Sequence, residues 1–120
     1  MAADSKIYRT EIAGVRYRYD DHPVQSYIKQ YCSAGMTVFL RPSDMPEFPD
    51  AVGVWMISFR KEIRLGWIPK KRQYLLDAIH NAWQHGLENI PCEIDKIYMA
   101  GIEEPHLEVD IKITLPKKYN

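Results

Sequence analysis

The sequence predicts one small, mainly β domain whose antiparallel strands curl into a sheet or a barrel. About six short segments have the composition of strands, and one late segment has the clear pattern of a helix. Strands and helices do not alternate as they do in a doubly wound parallel fold. The chain has 120 residues, of which 46% are hydrophobic, and this is enough for a single domain, residues 1–120, with its own core.

Residues 7–19 are predicted to form a strand that changes direction at Gly14. Tyr8, Thr10 and Ile12 alternate with polar and charged residues, but after Gly14 the apolar positions are displaced by one residue. Because such a displacement turns every side chain to the opposite face of a sheet, Gly14 indicates a bulge or a sharp bend.

The next segments are predicted as a short helix, a strand and an irregular loop. Residues 24–33 gather apolar side chains on one side of a helix, and residues 36–41 form a strand. Residues 42–50 contain three prolines and therefore cannot form regular secondary structure.

The middle of the chain contains the best candidate for a β-hairpin. Residues 51–59 and 62–68 are both apolar and rich in β-branched residues. Gly66 lies inside the second of these strands. A glycine in that position indicates the close approach of a neighbouring element or of a ligand.

A helix with one apolar stripe is predicted between Pro69 and Gly86, where apolar residues recur at helical spacing. Residues 91–100 and 107–115 are predicted as the last two strands. In residues 107–115 apolar and polar residues alternate strictly, so one face of this strand is expected to point inward.

The 16 basic and 16 acidic residues cancel in total but are distributed unevenly. Residues 60–72 contain six basic residues and one acidic residue, whereas residues 88–110 contain seven acidic residues and one basic residue. A fold that gathers the first stretch on one face could bind a polyanion. A solvated surface on which the charges merely segregate is the alternative interpretation.

Three of these cations, Lys70, Lys71 and Arg72, lie at the predicted start of the late helix. Cations are unfavourable in the first turn, where the helix dipole and the unpaired N–H groups attract negative charge. A bound phosphate would reverse this effect, since it would meet N–H donors and ammonium groups together. Side chains that simply point into solvent are the alternative.

Arg16, Tyr17 and Arg18 form a second candidate group. An exposed tyrosine between arginines can stack on a base while the guanidinium groups bind phosphates. Strand alternation places Tyr17 on the opposite face from both arginines, so a tyrosine packed in the core is the alternative.

No pattern typical of catalysis is evident, and the sequence predicts neither an enzyme nor a cofactor. His80 and His85 are five residues apart, which is the wrong spacing for two metal ligands on one helical face. Asp44, Glu47 and Asp50 on the proline-rich loop could hold Mg²⁺ in a hydrolase, but solvated turn residues are the simpler interpretation.

Cys32 and Cys92 are 60 residues apart and belong to no CxxC motif, so we expect two reduced, inert thiols in a cytoplasmic protein. Neither has the adjacent base that a nucleophilic cysteine needs. No apolar run reaches the roughly 18 residues that a membrane span requires. We therefore expect no membrane partner.

Three segments, in this order and at these separations, resemble the HIRAN domain family. Residues 12–17, IAGVRY, are similar to its opening strand, and residues 65–70, LGWIPK, are close to its VGYIP pattern. Between them, a strand end leads through a proline-containing loop into residues 51–54, as in the family's NPxDxNAxxV passage. The likeness covers residues 12–115.

The resemblance implies a modified, OB-like β-barrel of about six strands with helices packed beside it. It also implies a module that binds single-stranded DNA at a free 3′-hydroxyl end. Arg16 and Tyr17 match residues that contact the DNA backbone and stack on the terminal base. Lys70 matches a phosphate-binding lysine, and Trp67 stands where the DNA-binding members have another aromatic residue or histidine.

The loop of the DNA-binding members carries an aromatic residue and an aspartate that hold the terminal nucleotide. Here Glu47 precedes Phe48, and Asp50 stands where the family usually has asparagine. The resemblance then implies that Phe48 stacks on the base while Glu47 or Asp50 accepts the hydroxyl proton.

Together these observations predict a non-catalytic module that binds single-stranded nucleic acid, with DNA the expected form, during repair or processing. The residues expected to bind it are Arg16, Tyr17, Arg18, Glu47, Phe48, Asp50, Trp67, Lys70, Lys71 and Arg72. The alternative is a protein-docking module that keeps the fold and binds a helicase or a nuclease. It would use exposed strand edges or the acidic surface of residues 88–110.

Overall fold

Two three-stranded antiparallel sheets form the framework of the protein. The computed structural model describes residues 5–19, 22–58 and 60–117, with the backbone alone for residues 18, 19 and 22. In chain order the elements are β1 (Ser5–Glu11), β2 (Arg18–Tyr19), β3 (His22–Pro23), α1 (Val24–Tyr31), β4 (Phe39–Pro42), β5 (Val52–Ser58), β6 (Lys61–Trp67), α2 (Gln73–Gln84), β7 (Cys92–Ala100) and β8 (His106–Pro116). The predicted mainly β class is confirmed.

One sheet has the strand order β1-β8-β7 and the other has the order β4-β5-β6, while β2 and β3 form a separate short pair. The two large sheets meet along both edges through short backbone contacts. At one edge Ala13 bridges to Trp67, and at the other Thr37 bridges to Glu93. These bridges are isolated, so the strand ladders of the described residues do not close into a continuous barrel.

The core lies between the two sheets and the two helices. Along β8, the inward positions Val109, Ile111, Ile113 and Leu115 are fully buried, as the strict alternation predicts. The apolar stripe of α2 is also buried, including Leu75, Leu76, Ile79 and Ala82. The apolar residues of β8 and α2 face the same interior, so the two patterns determine which side of each element is buried in the core.

The first strand is shorter than predicted and ends before the bend. Gly14 has a φ of 85°, which is accessible to glycine and unfavourable for other residues. Its carbonyl accepts a hydrogen bond from the Tyr17 amide at 3.1 Å, so residues 14–17 form a tight turn. The predicted bend is therefore confirmed, and it separates β1 from β2.

Gly66 lies where the two sheets approach each other closely. A Cβ placed on Gly66 would collide with the carbonyl oxygen of Ala13 and would lie 2.6 Å from Cγ2 of Ile12. The Trp67 amide donates to the Ala13 carbonyl at 2.9 Å, and the Ala13 amide donates to the Trp67 carbonyl at 2.8 Å. Of the two interpretations of this glycine, close approach of a neighbouring backbone segment is the correct one.

Gly66→Ala is expected to lower the free energy of unfolding by about 3 kcal/mol, because the new methyl group would push against fixed backbone. Gly53→Ala is a matched control in the neighbouring strand, since a Cβ there would meet Nε1 of the Trp55 side chain at 2.8 Å. The Trp55 side chain is partly exposed and can move, so Gly53→Ala should lower the free energy of unfolding by less than Gly66→Ala does. Urea titrations followed by circular dichroism measure both. If both variants lower the free energy of unfolding equally, the close contact between Gly66 and the Ala13 backbone is not what restricts this position.

Candidate functional site

A cleft of about 520 Å³ opens between the Gly14 turn, the proline-rich loop, the end of β6 and the beginning of α2. Most of its wall is apolar, and the charged side chains on it are Glu47, Asp50 and Lys70. The wall consists of Ala13, Gly14, Tyr17, Met45, Glu47, Phe48, Pro49, Asp50, Ala51, Trp67, Ile68, Pro69, Lys70, Gln73 and Leu76. Six of the ten residues predicted to bind nucleic acid thus share one cleft.

Tyr17 and Trp67 flank the turn at Gly14. A Cβ placed on Gly14 would lie 3.4 Å from Cδ2 of Tyr17 and 3.7 Å from Cδ1 of Trp67. Tyr17 is 74% exposed, so the alternative of a tyrosine packed in the core is wrong. The turn at Gly14 breaks the strand alternation on which that alternative rested.

The proline-rich loop is irregular but internally bonded, and it carries three of the predicted residues. The Phe48 amide donates to the Met45 carbonyl at 3.1 Å, and the Ala51 amide donates to the Phe48 carbonyl at 3.2 Å. From α2, Nε2 of His80 donates to the carbonyl oxygen of Asp50 at 2.8 Å. These bonds hold Glu47, Phe48 and Asp50 along the cleft.

Lys70 lies against Phe48 in the wall of the cleft. Its Nζ lies 4.5 Å from the centre of the Phe48 ring, which is a cation–π distance. Phe48 is 45% exposed and Lys70 is exposed. One side of the cleft therefore presents an ammonium group and an aromatic ring to the same space.

Lys71 and Arg72, two of the other predicted cations, lie outside the cleft. Helix α2 begins at Gln73, three residues later than the expected start at Lys70, so the prediction of three cations in its first turn is wrong. Lys70 and Lys71 lie in the turn before the helix, and Arg72 is its N-cap.

Two of these cations bind Glu11 at the end of β1. Nζ of Lys71 lies 3.2 Å from Oε2 of Glu11, and Nη2 of Arg72 lies 3.2 Å from Oε1. The anion that compensates these cations is therefore a carboxylate of the same chain.

Arg16 is also paired within the chain. Its Nη2 lies 2.7 Å from Oε2 of Glu104 in the turn between β7 and β8. Arg16 borders a second depression, next to the cleft, together with Tyr17 and Glu108. The side chain of Arg18 lies outside the described residues, so the prediction for it stays a prediction.

The Glu11 carboxyl is held in its ionised form. Partial burial alone would raise its pKa, but hydrogen bonds from Thr10, its own backbone, Lys71 and Arg72 outweigh that effect and lower the pKa to about 2. Glu11 thereby ties the end of β1 to the turn that carries Lys70.

Comparisons of the chain with protein-family models, with curated proteins and with solved structures found no match. The resemblance to the HIRAN family therefore stays a prediction from the residues.

In the described part of the chain, no three His, Cys, Asp or Glu side chains form a group that could hold a metal ion. The proposed Mg²⁺ ligands divide accordingly: Glu47 and Asp50 line the cleft, whereas Asp44 is not part of its wall. Neither helix in the described residues is long and apolar enough to cross a membrane.

Both cysteines are free. Burial raises the pKa of the Cys32 thiol to about 11 and, together with the Glu93 charge, raises the pKa of the Cys92 thiol to about 12. At neutral pH both are protonated, and a protonated thiol is a poor nucleophile. The expectation of two reduced, inert cysteines agrees with this chemistry.

Sequence reasoning missed the residues that support the cleft. Nε2 of Gln25, in α1, donates to the carbonyl oxygens of Val15 at 3.0 Å and Leu107 at 2.8 Å, while its Oε1 accepts from the Leu107 amide at 2.7 Å. This amide fixes the turn that carries Tyr17. A single glutamine or histidine in an amphipathic helix belongs to no motif, so neither Gln25 nor His80 gave a signal in the sequence.

Glu11→Gln is expected to lower the free energy of unfolding by about 1 kcal/mol at neutral pH, the upper range for partly exposed ion pairs. Because the folded-state pKa is lowered, the stabilisation is fully present above the unfolded-state pKa and is lost as the pH falls from about 4.5 to about 2. Urea unfolding near both ends of that range measures this, with Glu88→Gln as the control. If the difference in free energy of unfolding between wild type and Glu11→Gln does not become smaller at the acidic end, the role assigned to Glu11 is contradicted.

Proposed function

We propose that this protein is a HIRAN-like, non-catalytic module that binds the end of a single DNA strand in the cleft. In this proposal it acts in repair or processing of DNA ends in the reducing cytoplasm, where free cysteines persist as thiols. Its two sheets, joined edge to edge at Ala13 and Thr37, would correspond to an opened form of the OB-like barrel.

The observation that carries the proposal is the meeting of Tyr17, Phe48, Trp67 and Lys70 on one cleft from three separate parts of the chain. Aromatic faces beside a cation are the usual means of binding single strands without sequence preference. Each stacked base contributes on the order of 1–3 kcal/mol. Duplex DNA presents no free base faces, so such a cleft favours single strands.

The carboxylates of the cleft support recognition of a hydroxyl end. Glu47 and Asp50 are both exposed on the same wall as the aromatic rings. A carboxylate accepts a strong hydrogen bond from a hydroxyl group and repels a phosphate. The cleft therefore suits a strand end without a terminal phosphate, with Lys70 placed for the preceding internucleotide phosphate.

The proposal is tested by fluorescence anisotropy at low salt with single strands that differ only at the 3′ end. A free hydroxyl should bind more tightly than a 3′-phosphate or a closed circle, and a duplex should bind weakly. Equal binding of all single strands would retain the stacking surface but contradict end recognition. No binding to any strand would overturn the proposed function.

Tyr17→Ala should weaken binding of the hydroxyl-ended strand by about 10-fold, within the range expected for the loss of one stacking face. Tyr98→Ala in β7 is the matched control, because it also removes a partly exposed tyrosine but lies outside the cleft. Anisotropy titrations of both variants give the comparison. The same loss in both would show that the effect is not local to the cleft.

Lys70→Ala should reduce the slope of log affinity against log salt by about 0.7, the value expected for one lost phosphate contact on a single strand. Lys71→Ala should change that slope less, since Nζ of Lys71 is paired with Glu11 at 3.2 Å. Titrations over a range of salt concentrations measure both slopes. Equal slopes for wild type and Lys70→Ala would exclude Lys70 as a phosphate ligand.

Docking of a protein is the second candidate function, and one observation favours it. Near the end of β7, Met99 is 66% exposed, and in the turn that follows, Ile102 is 99% exposed beside the acidic residues Glu103 and Glu104. Exposed apolar side chains surrounded by charge are typical of contact surfaces. A basic helicase or nuclease segment would suit this surface, and this candidate replaces the first if no oligonucleotide binds at low salt.

A further inference from the structure

The outer face of the β4-β5-β6 sheet carries a row of aromatic and arginine side chains. In the strand register Phe39 pairs with Trp55, Trp55 with Arg64, and Gly53 with Trp67. The alternate positions Leu40, Val54 and Ile63 are buried, so the paired side chains point outward. The outward aromatic and charged residues are Phe39, Arg41, Trp55, Glu62, Arg64 and Trp67.

Trp67 belongs both to this outer face and to the wall of the cleft. A Cβ placed on Gly53 would lie 2.8 Å from Nε1 of Trp55 and 3.5 Å from Cζ3 of Trp67. The two indole rings therefore border the same glycine. The aromatic surface is continuous from the cleft to Trp55.

The arginines of this face lie against the same rings. Cζ of Arg64 is 4.5 Å from the centre of the Trp67 ring, and Cζ of Arg41 is 5.3 Å from the centre of the Trp55 ring. The two terminal guanidinium nitrogens of Arg41, Nη1 and Nη2, each donate to a Glu62 carboxylate oxygen at 2.6 Å. Arg41 is thus held in place over Trp55. Arg64 is the cross-strand partner of Trp55 and lies against the Trp67 ring, so it contacts both parts of the face.

We propose that this face is an extension of the binding site, along which a single strand of nucleic acid continues from the cleft toward the β5-β6 turn. This inference rests on the proposed function and adds a path for the strand beyond its terminal nucleotide. Trp55 stacks on a base of the strand, and Arg64 binds the adjoining phosphate.

The charge of the face favours a polyanion over a protein partner. Arg41 and Arg64 lie on the face, and Arg60 and Lys61 lie at the β5-β6 turn, against the single acidic residue Glu62 in the hairpin. Aromatic rings that alternate with guanidinium groups are suited to bases that alternate with phosphates. From Trp67 to Lys61 the strand spans about 20 Å, which corresponds to about six stacked nucleotides.

The test is the affinity of oligothymidylates, with a free 3′-hydroxyl, from about two to about ten nucleotides in length. The affinity of the wild type should rise with length up to about six nucleotides beyond the end and then become constant. Trp55→Ala should lower the affinity for the long oligonucleotides by about 10-fold and leave the affinity for the dinucleotide unchanged. Tyr98→Ala, on the other sheet, is the control, and circular dichroism reports folding.

A second variant keeps the test independent of any packing role of Trp55. Arg64→Gln should lower the salt slope for long oligonucleotides by about 0.7 and not for the dinucleotide. If affinity does not increase with length, or if both variants weaken short and long oligonucleotides equally, this inference is overturned while the cleft stands. No change in either variant also overturns it. If no oligonucleotide binds, the proposed function and this inference fall together.

Discussion

The cleft depends on the meeting of two backbones at Ala13 and Trp67. The paired hydrogen bonds between them, at 2.8 and 2.9 Å, are possible only because Gly66 has no side chain to separate the strands. This contact joins the two sheets at one edge. It also places the Gly14 turn beside Trp67. The turn after β1 and the end of β6 therefore both contribute to the wall of the cleft.

The remaining parts of the site are fixed to this contact from outside. His80 anchors the proline-rich loop to α2, Gln25 anchors the Gly14 turn to α1, and Glu11 anchors the turn before α2 to β1. Each anchor connects an irregular segment to a helix or a strand. Loops restrained in this way can hold side chains in a defined arrangement without becoming regular structure themselves.

Local patterns in the sequence were sufficient for most of the larger elements and pointed to Tyr17 and Lys70 in the cleft, whereas Glu47, Phe48, Asp50 and Trp67 were predicted to bind nucleic acid only from the family resemblance. The alternation in β8, the stripe of α2 and the glycine in β6 each reflect a constraint within a few residues, and each was predictable. The exposure of Tyr17 was not, because alternation loses its meaning across a turn with positive φ. Pairings such as Arg16 with Glu104, 88 residues apart, leave no local trace.

The outer aromatic face shows a related limit of pattern reading. Both faces of β5 contain apolar residues, so alternation alone does not indicate which of Val54 and Trp55 is covered. The structure resolves this, since Val54 is fully buried and Trp55 is partly exposed.

The pairing of Arg16 with Glu104, and of Lys71 and Arg72 with Glu11, gives the protein counterions of its own. A phosphate that approaches these cations must displace a tethered carboxylate instead of a mobile ion from solution. The usual entropic gain from releasing small ions is therefore reduced. The nonspecific attraction of any polyanion to these cations is reduced as well. If the proposed function holds, a protein built in this way would distinguish nucleic acids by the availability of their base faces more than by their charge.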